Sequence, residues 1–175
     1  HLNPSAKWHD GNRVGGSDVV FTFSLYKDSS VYNATGNLQG IDSVTAPDSA
    51  TATFWFAMRD PGQFFRGTQF MPILPSHLLE KIARNELARA PFSRSPVGSG
   101  PFRFARWTGE PASILLEADT LNYLGRPALD RIVFAVLDNF NLAAAKVMNG
   151  EADFVEVVQP AMEELLRNPA VRTVT

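Results

Sequence analysis

The sequence predicts a mixed α/β fold, with a mixed sheet flanked by helices. Stretches rich in Val, Ile, Thr and aromatic residues alternate along the chain with stretches whose apolar residues recur at helical spacing. Glycine, proline and aspartate cluster between them, as expected of turns. With 175 residues, 45% of them apolar and 19% charged, the chain is long enough to bury one sizeable core or two small ones.

The first predicted element is a helix. The segment 16–18 (Gly-Ser-Asp) offers an N-cap, and the apolar stretch after it extends to about Tyr26. Apolar side chains also alternate within 21–25, so a strand is the alternative prediction. The resemblance described below favours the helix.

A hairpin follows. Segments 40–46 and 51–58 are rich in β-branched and aromatic residues, and Pro-Asp-Ser at 47–49 provides turn chemistry between them. In the second strand, Phe54, Phe56 and Met58 share one apolar face, whereas Trp55 lies on the other. This strand is expected to be buried on one face only.

A second helix is predicted from Ser76 to about Ala88, with Pro75 just before it. Prolines and serines in 91–96 then interrupt the pattern and predict a linker. The sequence therefore divides into a small subdomain, 1–92, and a partial main α/β subdomain, 93–175. The elements predicted for the second subdomain are strands at 101–107, 113–118, 131–137 and 152–157, with helices at 142–149 and 160–166.

Composition argues against several functions. The formal net charge is −2 and the basic residues are scattered, so the chain offers no basic face for nucleic acid and no polybasic membrane anchor. Apolar runs are broken within about ten residues, well short of the roughly 20 that a membrane-spanning helix needs. The absence of cysteine excludes disulfides and thiolate metal sites and leaves the compartment open.

The loop Pro96–Pro101 contains Gly98-Ser99-Gly100 and leads into an alternating apolar run. A phosphate-binding loop needs a lysine after its glycines, and a hydrolase nucleophile elbow needs Gly-x-Ser-x-Gly; neither pattern is present. We interpret the loop as a tight turn that sets the angle between the subdomains, because glycine frees φ and proline fixes it.

The alternative function is a hydrolase that uses His9, Asp10 and Ser99. Neighbouring residues on a strand point to opposite faces, so His9 and Asp10 form a catalytic pair only across a turn. A turn at Asp10-Gly11 is the simpler interpretation. The chain's three histidines show no metal-ligand spacing, so we expect no metal site. Since the glycine loop and His9-Asp10 match no catalytic pattern, we also expect no cofactor and no enzymatic activity.

Several motifs occur in a characteristic order. They are Trp-x-Asp-Gly at 8–11, Asp-Val-Val-Phe at 18–21, Leu-Pro-x-His-Leu-Leu at 74–79, Pro-Val-Gly-Ser-Gly-Pro-Phe at 96–102 and Gly-Glu-x-Asp at 150–153. This order resembles the extracellular solute-binding proteins of family 5, the peptide, dipeptide and nickel receptors of bacterial ABC importers. Ser99 and Phe102 stand where the family usually has Thr and Tyr. The family's Asn-Pro-Asp-Tyr-Trp is only partly matched at 119–124, so no role is carried over from there.

The resemblance implies that the chain is part of lobe I of a two-lobed periplasmic binding protein of the class II type, and that it is a fragment of a longer receptor. It implies capture of a di- or oligopeptide or a metal chelate by hinge closure, followed by delivery to an ABC transporter permease. The expected location is periplasmic, or extracellular and membrane-anchored in a Gram-positive cell. Contact with the membrane is expected only through the permease. A lobe cut from its sheet exposes strand edges, so the fragment is expected to self-associate.

The resemblance also implies three ligand-binding residues. Tyr32 matches the aromatic position of a Ser-Pro-Tyr-Ala-like element that faces the cleft, and a tyrosine holds a ligand without demanding one particular side chain. Gln69 and Met71 match a segment near the cleft wall. The alternatives are a surface loop for Tyr32 and a place in the core for Phe70 and Met71.

Overall fold

The computed structural model describes residues 1–31, 38, 40–69, 71–109, 112–156 and 171. These residues form two compact units. The first contains 1–106 and 116–132, and the second contains 107–115 and 133–175. The boundaries of these units differ from those of the predicted subdomains, 1–92 and 93–175. The division of lobe I into these subdomains stays a prediction.

Helix α1 (Gly16–Tyr26) confirms the helical alternative for this segment. Its N-cap is Gly15, one residue before the predicted segment, and Asp18 lies at the third helical position. The Asp18 carboxylate accepts the backbone N–H of Gly15 at 2.9 Å, so one amide that the helix leaves unpaired is satisfied. Val19 and Phe23, one turn apart, bury the inner face of the helix.

Strands β1 (Ile41–Asp48) and β2 (Thr51–Phe56) form the predicted antiparallel hairpin. Trp55 lies on the outer face as expected: its side chain is 55% exposed, and Nε1 donates to Thr45 Oγ1 at 3.2 Å. The prediction for Met58 is wrong, since β2 ends at Phe56 and the Met58 side chain is 77% exposed.

The core of the first unit lies between α1 and this hairpin. Its buried members are Val19, Phe23, Leu38, Ile41, Val44 and Met71. Each contributes about 1.5–3 kcal/mol through the apolar surface that it removes from water. The helix is bonded to the hairpin at Gly16, whose backbone N–H donates to the carbonyl oxygen of Ser49 at 2.9 Å.

Between the hairpin and the glycine loop, the chain forms only short helices. They are α2 (Gln63–Thr68), α3 (Ser76–Leu79) and two 3₁₀ helices, Arg84–Arg89 and Pro91–Ser93.

The helix predicted from Ser76 to Ala88 is therefore wrong beyond Leu79. The chain is extended at Ala83, with ψ of 137°, and this turn delivers Arg84 to a partner on another segment. Arg84 Nε lies 3.2 Å from the carboxylate of Asp28, just beyond the end of α1. Of the predicted apolar face, Leu79 is buried whereas Ala83 is exposed, so the buried part of this face ends with α3.

A second sheet has the order β3 (Phe102–Thr108), β4 (Ser113–Ala118) and β5 (Arg131–Ala135). Backbone bonds from Asp119 to Pro101 and from Ala118 to Asp130, at 2.8 and 2.9 Å, mark antiparallel neighbours. Both sheets are thus antiparallel where the structure describes them, whereas the sequence predicted mixed strand directions. The mixed α/β class itself is confirmed.

Helix α4 (Phe140–Met148) matches the predicted helix at 142–149. The side chain of Asn139 caps it by accepting the Leu142 N–H at 2.9 Å, and Gly150 follows with φ of 72°, as a C-terminal glycine should. The strand predicted at 152–157 is not found in 152–156. Residue 157 and the helix predicted at 160–166 lie outside the described residues.

Candidate functional site

Asp18 joins three segments of the first unit. Its side chain is 3% exposed. One carboxylate oxygen accepts Trp8 Nε1 at 3.0 Å and the Gly15 N–H at 2.9 Å, and the other accepts the N–H and the hydroxyl of Ser76 at 2.8 and 2.6 Å. Every partner is a donor, which suits the acceptor-only oxygens of a carboxylate. The turn after Trp8, the start of α1 and the start of α3 are therefore fixed to one another.

One turn further along α1, Thr22 extends this connection. The Thr22 side chain is fully buried, its hydroxyl donates to the Asp18 carbonyl oxygen at 2.7 Å, and it accepts the Leu74 N–H at 2.9 Å. Asp18 and Thr22 are four residues apart, so they lie on the same face of the helix. Together they hold the segment 74–76, which follows the predicted cleft wall.

The three predicted ligand residues differ in what the structure says of them. Tyr32 lies outside the described residues. Gln69 is exposed at the end of α2, and its backbone N–H donates to the Phe65 carbonyl oxygen at 2.8 Å. Met71 is 2% exposed and belongs to the core beside α1. Gln69 is thus exposed to solvent, whereas Met71, two residues later, is buried in the core.

The glycine loop is bonded to His9. The Gly98 N–H donates to His9 Nδ1 at 3.2 Å, so Nδ1 is an acceptor and Nε2 carries the proton that it donates to the Gly100 carbonyl oxygen at 2.9 Å. The backbone N–H of His9 also donates to the Gly98 carbonyl oxygen at 2.8 Å. On the other side, Asn122 Nδ2 donates to the carbonyl oxygens of Ser99 and Gly100 at 3.3 and 2.9 Å.

Close approach, rather than a special backbone conformation, explains the glycine at 98. Among the described residues, the glycines with positive φ are Gly11, Gly40, Gly125 and Gly150, so neither Gly98 nor Gly100 needs the left-handed region. A Cβ on Gly98 would lie 3.2 Å from His9 Cε1. The expectation that φ freedom selects these glycines is therefore wrong, and the role of the loop in setting an inter-subdomain angle stays a prediction.

Asp10 bonds to His77 rather than to His9. Its Oδ2 lies 2.6 Å from His77 Nε2, and its Oδ1 accepts the Asn12 N–H at 3.1 Å. Burial acts to raise the pKa of Asp10, but the hydrogen bonds from His77 and Asn12 hold it below its ordinary value. Gly11, with φ of 91°, completes the predicted Asp-Gly turn.

These contacts assign structural roles to the residues of the hydrolase alternative. Both ring nitrogens of His9 are bonded to main-chain atoms of the loop, and the Asp10 carboxylate is paired with a different histidine. In the described part of the chain, His9, Asp10 and Ser99 are thus not arranged as base, orienting carboxylate and nucleophile. The described residues also contain no group of three metal-ligating side chains and no helix long and apolar enough to cross a membrane.

Replacing His9 with phenylalanine is expected to lower the free energy of unfolding by about 2 kcal/mol, because the Gly98 N–H and the Gly100 carbonyl each lose a partly buried partner while the ring volume is kept. Urea denaturation of both proteins measures the difference. His1→Phe is the matched control, since His1 is exposed and bonds only to the Thr51 hydroxyl among the bonds described. Equal midpoints for His9→Phe and the unchanged protein would contradict the structural role.

The sequence did not reveal Asp18 as the centre of this network. Its partners lie ten and 58 positions away along the chain, at Trp8 and Ser76, and no local pattern connects them. The available signal was indirect, because all three residues fall within the motifs at 8–11, 18–21 and 74–79.

Comparison with protein families gives one match over almost the whole chain. The family described as bacterial extracellular solute-binding proteins, family 5 Middle, matches residues 1–174. The oligopeptide-binding protein AppA of Bacillus subtilis is 30% identical over 158 residues, which are 89% of this chain and 29% of AppA.

Solved structures agree. AppA of Bacillus subtilis in complex with a nonapeptide superposes with a TM-score of 0.71 and 31% identity over 83% of this chain and 29% of that one. A mannohexaose-bound periplasmic oligopeptide-binding protein of Thermotoga maritima gives a TM-score of 0.73 and 25% identity over 95% and 31%. NikZ of Campylobacter jejuni in complex with Ni(L-His) gives 0.68 and 26% over 86% and 29%. The chain spans less than a third of the length of each.

Proposed function

Because the chain belongs to family 5 of the bacterial extracellular solute-binding proteins, we propose that the protein captures a peptide or a related small solute and delivers it to the permease of an ABC transporter. The observation that carries the proposal is the similarity to AppA, whose solved structure holds a nonapeptide. The protein acts in the periplasm, or outside a Gram-positive cell while anchored to its membrane. It meets the membrane only through the permease.

Binding rather than catalysis is the activity that we propose. A solute enclosed between two lobes loses its water together with the polar groups of the cleft, so those groups must find partners across the closed cleft. Residues of lobe I supply part of these partners. The engagement of His9 with the glycine loop and of Asp10 with His77 supports this choice over hydrolysis.

Tyr32, Gln69 and Met71 contribute to the cleft in different ways. We assign Tyr32 and Gln69 to direct contact, because an aromatic ring and an amide suit the apolar and polar parts of a peptide. The exposure of Gln69 supports this role. Met71 acts from below: its buried side chain fixes the segment that carries Gln69 on the core beside α1.

The solute is identified by mass spectrometry of the full-length protein purified without added ligand, and its affinity is then measured by calorimetry. A retained peptide supports peptide capture, and a retained nickel chelate or oligosaccharide changes the solute class while leaving the binding function intact. If no solute is retained and no di- or oligopeptide, nickel chelate or oligosaccharide binds, the proposed function is wrong.

Tyr32→Ala is expected to weaken solute binding at least tenfold, about 1.4 kcal/mol, since a tyrosine that encloses a ligand contributes this much or more. The melting temperature should stay unchanged. Tyr123→Ala is the matched control, because Tyr123 is a partly exposed tyrosine, 39% accessible, with no proposed contact to the solute. Unchanged affinity in Tyr32→Ala would remove Tyr32 from the cleft.

Self-association of the 175-residue chain is a further part of the proposal. Strand β5 lies at one edge of its sheet. Its residues Val133 and Phe134 are 62% and 54% exposed, and Val136, just after the strand, is 54% exposed. Exposed strand edges recruit other strands. Light scattering that finds only monomer at high concentration would exclude this association.

A further inference from the structure

A cavity of about 690 Å³ lies at the C-terminal end of α1. This volume falls in the range of roughly 300–1,000 Å³ that is typical of small-molecule sites. All of its lining residues belong to the first unit, so the cavity needs no second lobe to be formed. Its described lining residues include neither Gln69 nor Met71 of the proposed solute cleft.

The walls of the cavity are mainly apolar. Aliphatic and aromatic side chains come from α1, from the segment around α3 and from the two 3₁₀ helices: Leu25, Leu74, Leu79, Leu87 and Phe92. A ligand that fills this space gains chiefly from the removal of apolar surface from water.

Arg84 is the one charged residue among the lining residues, and its charge is already balanced. Its Nε lies 3.2 Å from the Asp28 carboxylate, and its Nη2 donates to the Ser24 hydroxyl at 3.1 Å. Hydrogen bonds from the hydroxyl and the backbone of Ser30 hold the pKa of Asp28 below its ordinary value, so Asp28 stays ionised beside the guanidinium. A charged ligand would therefore find no unpaired opposite charge in the wall.

One polar atom of Arg84 lacks a partner. Its Nη1 is buried and has no hydrogen-bond acceptor among the described residues. Buried donors without acceptors are rare and costly, and each calls for a physical explanation. Because Nη1 is shielded from water, it does not open onto the cavity, and we assign it no contact with a ligand.

We propose that this cavity is a second binding site, for an uncharged, mainly apolar small molecule. The apolar part of the ligand packs on the leucine and phenylalanine walls. The site does not depend on the proposed solute function, because its described lining residues include neither Gln69 nor Met71.

The test uses the full-length protein and three molecules of equal chain length: octanamide, octanoate and octylamine. Calorimetry or ligand-observed NMR measures each affinity. Octanamide is expected to bind saturably and about tenfold or more tightly than either charged analogue, because desolvation of the charge is not repaid in this wall. Absence of saturable octanamide binding up to its solubility limit overturns the site. Equal or tighter binding of octanoate or octylamine overturns the assigned ligand class.

Two substitutions locate the binding. Ala88 lines the cavity and is exposed, so Ala88→Trp fills the space without disturbing the core and is expected to abolish octanamide binding. Ala83→Trp is the matched control, since Ala83 is exposed on the same segment but does not line the cavity. Unchanged octanamide affinity in Ala88→Trp places any binding elsewhere and overturns the proposal.

A third substitution separates this site from the solute cleft. Gln69→Ala is expected to leave octanamide affinity unchanged, because Gln69 does not line the cavity. Failure of this site and failure of the solute function are therefore separately visible.

Discussion

Asp18→Asn is expected to lower the free energy of unfolding by about 3 kcal/mol, the loss typical of a buried charged hydrogen-bond acceptor whose donors stay in place. An amide puts an NH₂ group where one carboxylate oxygen was. That group faces either the Trp8 indole and Gly15 donors or the N–H of Ser76. In each orientation, the new NH₂ group faces at least one buried N–H group, and that N–H group loses its acceptor.

Urea denaturation followed by tryptophan fluorescence measures this effect, and Trp8, which bonds directly to Asp18, reports on the same place. The matched control is Asp153→Asn, because Asp153 is exposed and the substitution has the same chemistry. We expect the control to stay within about 0.5 kcal/mol of the unchanged protein. A loss below 1 kcal/mol for Asp18→Asn would show that the network is not a main source of stability.

Gly16→Ala is expected to destabilise the protein by about 2–3 kcal/mol through overpacking. A Cβ at this position would lie 2.6 Å from the Thr51 carbonyl oxygen, 2.8 Å from Ala46 Cβ and 2.9 Å from the Asp48 carbonyl oxygen. Two of these three atoms are backbone atoms of the hairpin, so relief requires α1 and the hairpin to move apart. Alanine is otherwise the better helix residue by about 1 kcal/mol, so a loss of stability isolates the steric contact.

The control for this second substitution is Gly109→Ala. A Cβ on Gly109 would meet nothing within 4 Å, and its φ is not positive, so alanine fits without strain. Thermal and urea unfolding should give a stability equal to or slightly above that of the unchanged protein. If Gly16→Ala is also neutral, α1 and the hairpin are less closely packed than the distances indicate.

Local patterns predicted the elements whose buried residues recur at regular spacing within one short segment. Helix α1 and the hairpin follow this rule, because Val19 and Phe23 on one element and Ile41 and Val44 on the next cover each other. The capping of α4 by Asn139 and its end before Gly150 are also local chemistry, so this helix was predicted within two residues at its start.

Tertiary contacts decided the elements that were not predicted. The segment 76–88 has helical periodicity, yet its helix ends at Leu79, and Arg84 then pairs with Asp28, 56 residues away. Helix α2 has six residues and contains Gly67, so it is too short for a periodic signal. At Gly67 a Cβ would lie 3.4 Å from the Phe54 ring, an ordinary van der Waals contact, so this helix packs against the hairpin.

The candidate site was predictable only in part. The motifs drew attention to the segments that contain Asp18, Ser76 and His9, but bonds between segments cannot be seen in a linear pattern. The burial of Met71 likewise depends on α1 and on Ile41, which the sequence did not show to be its neighbours.

The attachment of the segment 74–76 to α1 uses main-chain groups at two of its three contacts, the N–H of Leu74 and the N–H of Ser76. Amide groups are the same in nearly every residue, so the anchorage is indifferent to which side chain stands at Leu74 or at the preceding positions. Mutational drift can then exchange the residues leading into this anchor while the scaffold is retained. If the proposed function holds, such a protein can acquire a new solute preference by changing its surface alone.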